Sequence, residues 1–276
     1  MSQPRLHPID VIRFYAENGV DIALDEIAPN RLAEPAKIIE GHKFEVPKRE
    51  ASKPFGAPPA SSRPVAAQRN IAPPAAPETA IRDAGQLAAN AKTLDELRAA
   101  VESFDGCALK TTAMRTVFAD GNSQARIMFV GEGPGAEEDR EGLPFVGRSG
   151  KLLDRMIGAI GLDRTSAYIA NIIPWRPPGN RTPTPQESAI CLPFIKRQIE
   201  LANPDILVCL GGPSATTLLE LREGITRTRG RWFEYDTGQR KIKAVALFHP
   251  AYLLRSPAHK KLAWQDLLSI KKALNG

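Results

Sequence analysis

Cysteine is scarce in this chain: three in 276 residues, at Cys107, Cys191 and Cys209. An odd number at wide spacing gives no disulfide framework and fits a reduced compartment. Long apolar runs are missing as well, none approaching the roughly 18 residues that cross a bilayer. The N-terminus MSQPRLHPID also lacks the charged-then-apolar order of a secretion signal. These absences exclude a disulfide-stapled or membrane-spanning protein and point to the cytoplasm. What remains is 42% apolar content, enough for a real core in one large domain or two small ones. The net charge of +6 and pI near 9.3 lean towards polyanions such as nucleic acid, but the excess is modest for this length.

Nine of the 24 prolines fall between residues 31 and 79, interleaved with alanine and small polar residues. Such a segment buries too little apolar surface to offset its ordering entropy and reads as a flexible linker. Ahead of it, residues 1–30 contain IDVIRFYAENGVDIAL, with Val11, Phe14, Tyr15 and Asn18 at helical spacing and Gly19 as a stop. A short amphipathic helix is expected there, tethered by the linker. From residue 80 to 276 the pattern changes. Thr93 and Glu96 have capping-box spacing and open a helix running to about Phe104. Four apolar runs (125–131, 167–173, 205–211 and 243–248) read as buried strands, separated by helical patterns. Alternating strands and helices predict an α/β fold, a three-layer α/β/α sandwich around a mostly parallel four-stranded sheet.

In such sheets ligands sit beyond the carboxyl ends of the strands, so the residues after each strand are the ones that matter. The first strand runs into GEGPGAEEDREGLPFVGR, which matches neither G-x-G-x-x-G nor G-x-x-x-x-G-K-[ST] and follows its glycines with Glu137, Glu138 and Asp139. Phosphate is a poor ligand for such a rim. The second strand ends near Asn171, whose amide donates and accepts at once, and the fourth delivers His249 at a Pro-led turn. Together they describe a slot for a small planar polar ring, lidded by Phe145.

GEGPGAEEDREGLPFVGRSGKLLD, NIIPWRPPGNRTPTPQE and HPAYLLRSP resemble, in order and spacing, the three signature blocks of the family 4 uracil-DNA glycosylases, over roughly Cys107 to Ala273. The resemblance implies an enzyme that flips uracil out of DNA and hydrolyses the bond between N1 and the deoxyribose C1′, starting base excision repair in the bacterial cytoplasm and nucleoid. It implies that Phe145 stacks on the base beside Gly133, that Asn171 reads its polar edge and that His249 bonds O2. Either Glu132 or Glu138 handles the water. Uracil-containing DNA, single- or double-stranded, is the implied partner, and a monomer is expected. A repair or replication protein recruited by the N-terminal helix is a further expectation. For DNA, Leu253 and Leu254 are expected either as a wedge in the base stack or as buried helix-start residues. Arg148, Arg176, Arg181 and Arg255, with Arg227, Arg229 and Arg231 of TRTRGR, suit phosphate contacts. Trp232 and Trp264 read as packing residues.

The chain departs from the family in one respect. Family 4 enzymes hold a four-iron cluster on four cysteines; here Cys107 and Cys191 stand at two of those places, with Phe104 and Trp175 at the others. Phenyl and indole rings cannot ligate iron, so no cluster is expected and the rings are expected to fill its volume. A covalently trapping branch of the superfamily carries a basic, histidine-containing insertion after the second strand; the segment 175–185 has no histidine, which favours turnover. A damage-binding module without catalysis, or a nucleotide-binding or phosphohydrolase domain of similar architecture, are the alternatives.

Overall fold

The structure, a computed structural model, describes residues 77–276. The expected N-terminal helix and nearly all of the expected linker lie outside the described residues. The first described element begins inside the tail of that proline-rich segment: α1 spans Pro77–Asn90, followed by α2 (Leu94–Ser103) and α3 (Leu109–Thr112). Thr93 caps α2, its hydroxyl accepting from the Glu96 N–H, as the capping-box spacing predicts. The sheet is built from β1 (Ala119–Gly121), β2 (Ile127–Gly131), β3 (Tyr168–Asn171), β4 (Ile206–Leu210), β5 (Trp232–Asp236) and β6 (Lys241–Leu247). Between and after them run α4 (Ala136–Glu141), α5 (Arg148–Gly158), α6 (Pro185–Ala202), α7 (Gly212–Leu219), α8 (Ile225–Thr228), α9 (Pro250–Arg255) and α10 (Lys260–Asn275).

The strand order is β1-β3-β2-β4-β6-β5, with β3, β2, β4 and β6 mutually parallel and β1 and β5 antiparallel at the edges. Four strands were expected and six form. The extra two are edge strands, one only three residues long and the other, Trp232–Asp236, with a single buried residue. Neither buries both faces, so neither carries the continuous apolar run that marks an interior parallel strand.

Period-two alternation sends β2 side chains to opposite cores: Met128 and Val130 to one, Ile127 and Phe129 to the other. Strand β4 divides the same way, Leu207 and Cys209 against Ile206, Val208 and Leu210. The first core is closed by α1, α2 and α6, the second by α5 and α10, which makes the three layers. Among the described residues no helix is long and apolar enough to cross a membrane.

Phe104, Cys107, Trp175 and Cys191 all lie in the first core, each buried. The Phe104 and Trp175 rings stack at 6.5 Å and 25°, and Phe194 meets Phe104 edge-on at 5.2 Å. Trp175 is fully buried and satisfies its indole N–H on Thr116 Oγ1 at 3.1 Å. Removing that ring leaves a large cavity and an orphaned hydroxyl acceptor. Trp175→Ala is expected to lower unfolding free energy by about 3–5 kcal/mol, read from urea denaturation as a lower midpoint with an unchanged slope.

Candidate active site

The strand ends assemble the site, beginning at Gly131. A Cβ there would lie 2.4 Å from Asn171 Oδ1 and 2.6 Å from Phe145 Cζ, so glycine alone lets those two side chains close over the end of β2. Glu132 follows, half-buried, and burial raises its carboxyl above the ordinary 4.5. Gly135 then caps α4, whose first turn carries Glu138. Both Glu138 oxygens are committed: Oε2 accepts from the Gly135 N–H at 3.0 Å, and Oε1 from Val146 and Gly147 at 3.1 and 3.0 Å. Phe145, just before those amides, is buried and left-handed at φ 55°. For a bulky aromatic residue that conformation costs on the order of 1–3 kcal/mol and persists only where its surroundings enforce it.

Asn171 closes β3 and is buried, yet its Oδ1 is the one buried side-chain polar atom without a hydrogen-bond partner among the described residues. An orphaned acceptor of this kind costs about 1–3 kcal/mol, which a ligand's N–H would recover. His249 caps α9, its Nδ1 accepting from the Ala251 N–H at 3.1 Å. A backbone amide can only donate, so Nδ1 is bare and the ring proton sits on Nε2. Burial first, then Arg255, depress the imidazole pKa to about 4, with Glu138 opposing. The ring is therefore neutral at pH 7 and offers one donor. It lies 5.6 Å from the Phe145 ring, tilted by 31°.

Glu132, Gly133, Glu138, Phe145, Asn171 and His249 all line one cavity of about 610 Å³, and Arg181 and Arg255 line it too. Arg181 is already bidentate on Glu187, at 2.8 and 2.6 Å. Outside the lining, Arg148 is exposed at the start of α5, and Arg176 bonds Asn180 Oδ1 at 2.7 Å. The two leucines part company. Leu253 is 1% exposed and belongs to the second core, so the buried alternative holds for it, whereas Leu254 is 37% exposed. In TRTRGR, Arg229 is turned inward onto Asp266, where a phosphate would have to displace a carboxylate, and Arg231 pairs with Glu223. Trp232 and Trp264, read as packing residues, stand at 36% and 42% exposure. Sequence reasoning missed Tyr252, which lines the cavity and bonds His259 Nδ1 at 2.8 Å. Its position inside HPAYLLRSP was the available signal.

The sequence profile of the uracil DNA glycosylase superfamily matches residues 118–268, a span containing all three strand-end blocks. The chain is 40% identical over 174 residues to a type-4 uracil-DNA glycosylase of Thermotoga maritima, an alignment covering 62% of this chain and 89% of that relative. A type-4 uracil-DNA glycosylase of Archaeoglobus fulgidus is 40% identical over 170 residues (60% and 85%), and one of Saccharolobus solfataricus 38% over 187 (66% and 87%). The chain belongs to the type-4 uracil-DNA glycosylase family. Within that family's frame, the iron–sulfur positions of this chain do not fit a four-thiolate cluster. Cys107 and Cys191 are buried free thiols whose mutual influence lowers the Cys107 pKa and raises that of Cys191, and the other two places hold stacked rings. Among the described residues no three His, Cys, Asp or Glu side chains gather at metal-binding distance.

The tautomer and depressed pKa of His249 are directly measurable. A ¹⁵N-detected NMR titration is expected to find its ring neutral, with the proton on Nε2, from pH 8 down to about pH 4. An imidazolium already forming near the ordinary 6.5 would contradict the buried geometry.

Proposed function

We propose that this chain excises uracil from DNA by hydrolysing the N1–C1′ bond, with the base flipped into the cavity between Phe145, Asn171 and His249. The observation that carries this reading is the buried, unpartnered Asn171 Oδ1 in the same cavity as the His249 donor. Uracil presents N3–H, a donor, beside O4, an acceptor, so an amide whose oxygen awaits a donor pairs with it. Cytosine presents an acceptor at N3, which faces Oδ1 unfavourably unless the amide turns over to meet the N4 amino group.

As the C1′–N1 bond breaks, its electron pair moves to the base and charge gathers on O2. The His249 Nε2–H stabilises that charge as a neutral donor. Positive charge develops on the sugar, water attacks C1′, and a carboxylate takes the water's proton. Between the two acidic candidates the geometry favours Glu132. Its carboxyl is half-buried in the cavity lining, where burial raises its pKa and its oxygens stay uncommitted to backbone amides among the described residues, while Glu138 has spent both of its oxygens on them. Leu254 is the remaining wedge candidate, with Arg148 and Arg255 available for phosphates, while Arg176 is held by Asn180 and by Asp139 at 3.9 Å. Type-4 family members imply an iron–sulfur cluster; the proposal for this chain is turnover without one, because Phe104 and Trp175 supply packing where two thiolates would be required.

The full chain is expected to release uracil from single- and double-stranded oligonucleotides without added metal, seen as strand breaks after alkali. Intact strands would leave a damage-binding module, and a strict requirement for divalent metal or nucleotide would favour the phosphohydrolase alternative. His249→Ala is expected to lose about 10²–10³ in kcat, and Glu132→Gln about 10²-fold. The pH dependence has a definite sign. Glu132 must be ionised and its pKa lies above 4.5, so kcat falls as pH drops through that raised value, while His249, neutral above about 4, adds no loss there. The Glu132→Gln variant is expected to lose that acid limb.

The purified protein is also expected to lack an absorbance band near 400 nm, and Cys107→Ser with Cys191→Ser to retain uracil release. A brown protein, or activity that vanishes with the two thiols while the fold survives, would overturn the cluster-free reading.

A further inference from the structure

The backbone of residues 144–147 is held at four points by two side chains of opposite charge. Arg164, in the loop between α5 and β3, donates from Nη1 to the Pro144 carbonyl at 3.1 Å and from Nη2 to the Phe145 carbonyl. On the other side Glu138 Oε1 accepts from the Val146 and Gly147 amides. Carbonyl oxygens thus meet a cation and amide hydrogens an anion, so each bond is charge-assisted. Arg164 is itself anchored, through Nε to Asp154 on α5 at 2.9 Å and through Nη1 to Asp120 on β1. Gly150 makes the close approach possible, since a Cβ there would stand 1.7 Å from the Phe145 carbonyl oxygen. Between the two grips lies Phe145, left-handed at φ 55°. Arg164 does not line the cavity, so its bonds to residues 144 and 145 are its connection to the chemistry.

We propose that Arg164, working with Glu138, is a positioning residue that locks Phe145 in its left-handed conformation and so holds the ring against the place of the flipped base. The inference rests on the reading of Phe145 as the stacking surface for uracil. It also gives Glu138 a function that its saturated oxygens allow. Without Arg164 the two carbonyls lose their cation, Phe145 relaxes towards ordinary backbone angles, and the base arrives out of line with His249.

The test is a double-mutant cycle on the full chain, measuring uracil release and thermal midpoint for Arg164→Gln, Arg164→Lys, Phe145→Ala and the combined variants. Arg164→Gln is expected to lose about 10- to 100-fold in kcat/KM through misplacement of the base. Arg164→Lys, which keeps the charge but not the two-pronged donor, is expected to lose nearly as much. In the Phe145→Ala background either substitution is expected to change kcat/KM by less than about twofold, because the ring it positions is gone. Equal losses in both backgrounds would mean a general structural role and would overturn the proposal, as would wild-type rates in both Arg164 variants. Should Arg164→Gln fail to fold, the Arg164→Lys arm completes the cycle. Phe145→Ala with undiminished activity would overturn the stacking reading and the lock with it. An impaired Phe145→Ala that is additive with Arg164 would overturn the lock alone.

Discussion

A buried acceptor that the protein itself leaves unpaired is the constraint on which the site depends. Asn171 Oδ1 is buried at the end of an interior strand, and nothing in the described protein pairs with it. The geometry that places it there is visible: Gly131 removes the side chain that would push Asn171 and Phe145 apart, and the Phe145 ring closes over the strand end. An orphaned acceptor and a left-handed aromatic residue each cost on the order of 1–3 kcal/mol. The three-layer core bears that expense, since its interior strands are apolar on both faces. A ligand edge that donates at Oδ1 makes the hydrogen bond the protein leaves unmade.

The same core meets a second demand in an unusual way for this family. Around the two remaining cysteine positions this chain joins α2, the segment after β3 and α6 with the stacked Phe104 and Trp175 rings, Phe194 and the free thiols of Cys107 and Cys191. Metal ligation is directional and depends on thiolate charge; ring packing is neither. These positions lie in the first core, while the cavity opens at the sheet's carboxyl edge, so the packing there is separate from the strand ends.

How far the sequence could be read follows from what each element is bonded to. The four parallel strands were legible because burial on both faces writes an uninterrupted apolar run. Strands β1 and β5 were not, because their pairing comes from a neighbour rather than from their own composition. Helix α1 hid behind a proline-rich stretch, its fully buried residues being only Ala80, Ala84 and Ala88, with Ile81 and Leu87 packing partly buried beside them. Asn171 and His249 were readable because each stands at or just after a strand end, and Phe145 because it sits in the recognisable block after β2. Arg164 was not, being one arginine in a polar loop whose partners, Asp154, Asp120, Pro144 and Phe145, all lie well beyond helical-neighbour spacing along the chain. The arginines of TRTRGR carried the opposite error: a run of basic residues looks uniform in one dimension, yet the fold buries Arg229 against Asp266. Helical phase likewise decides between Leu253 and Leu254, which no composition argument separates.

Burial acts on the two titrating groups of the cavity in opposite directions. It lifts the Glu132 carboxyl above 4.5 and drives the His249 imidazole down to about 4. At neutral pH the depressed imidazole is uncharged, so the pairing of a carboxylate near the sugar with a neutral donor near the base is the deprotonated state of the cavity. A neutral donor also suits the departing base: an imidazolium would bind the product anion tightly, whereas a neutral ring stabilises the charge as it forms and still lets it leave.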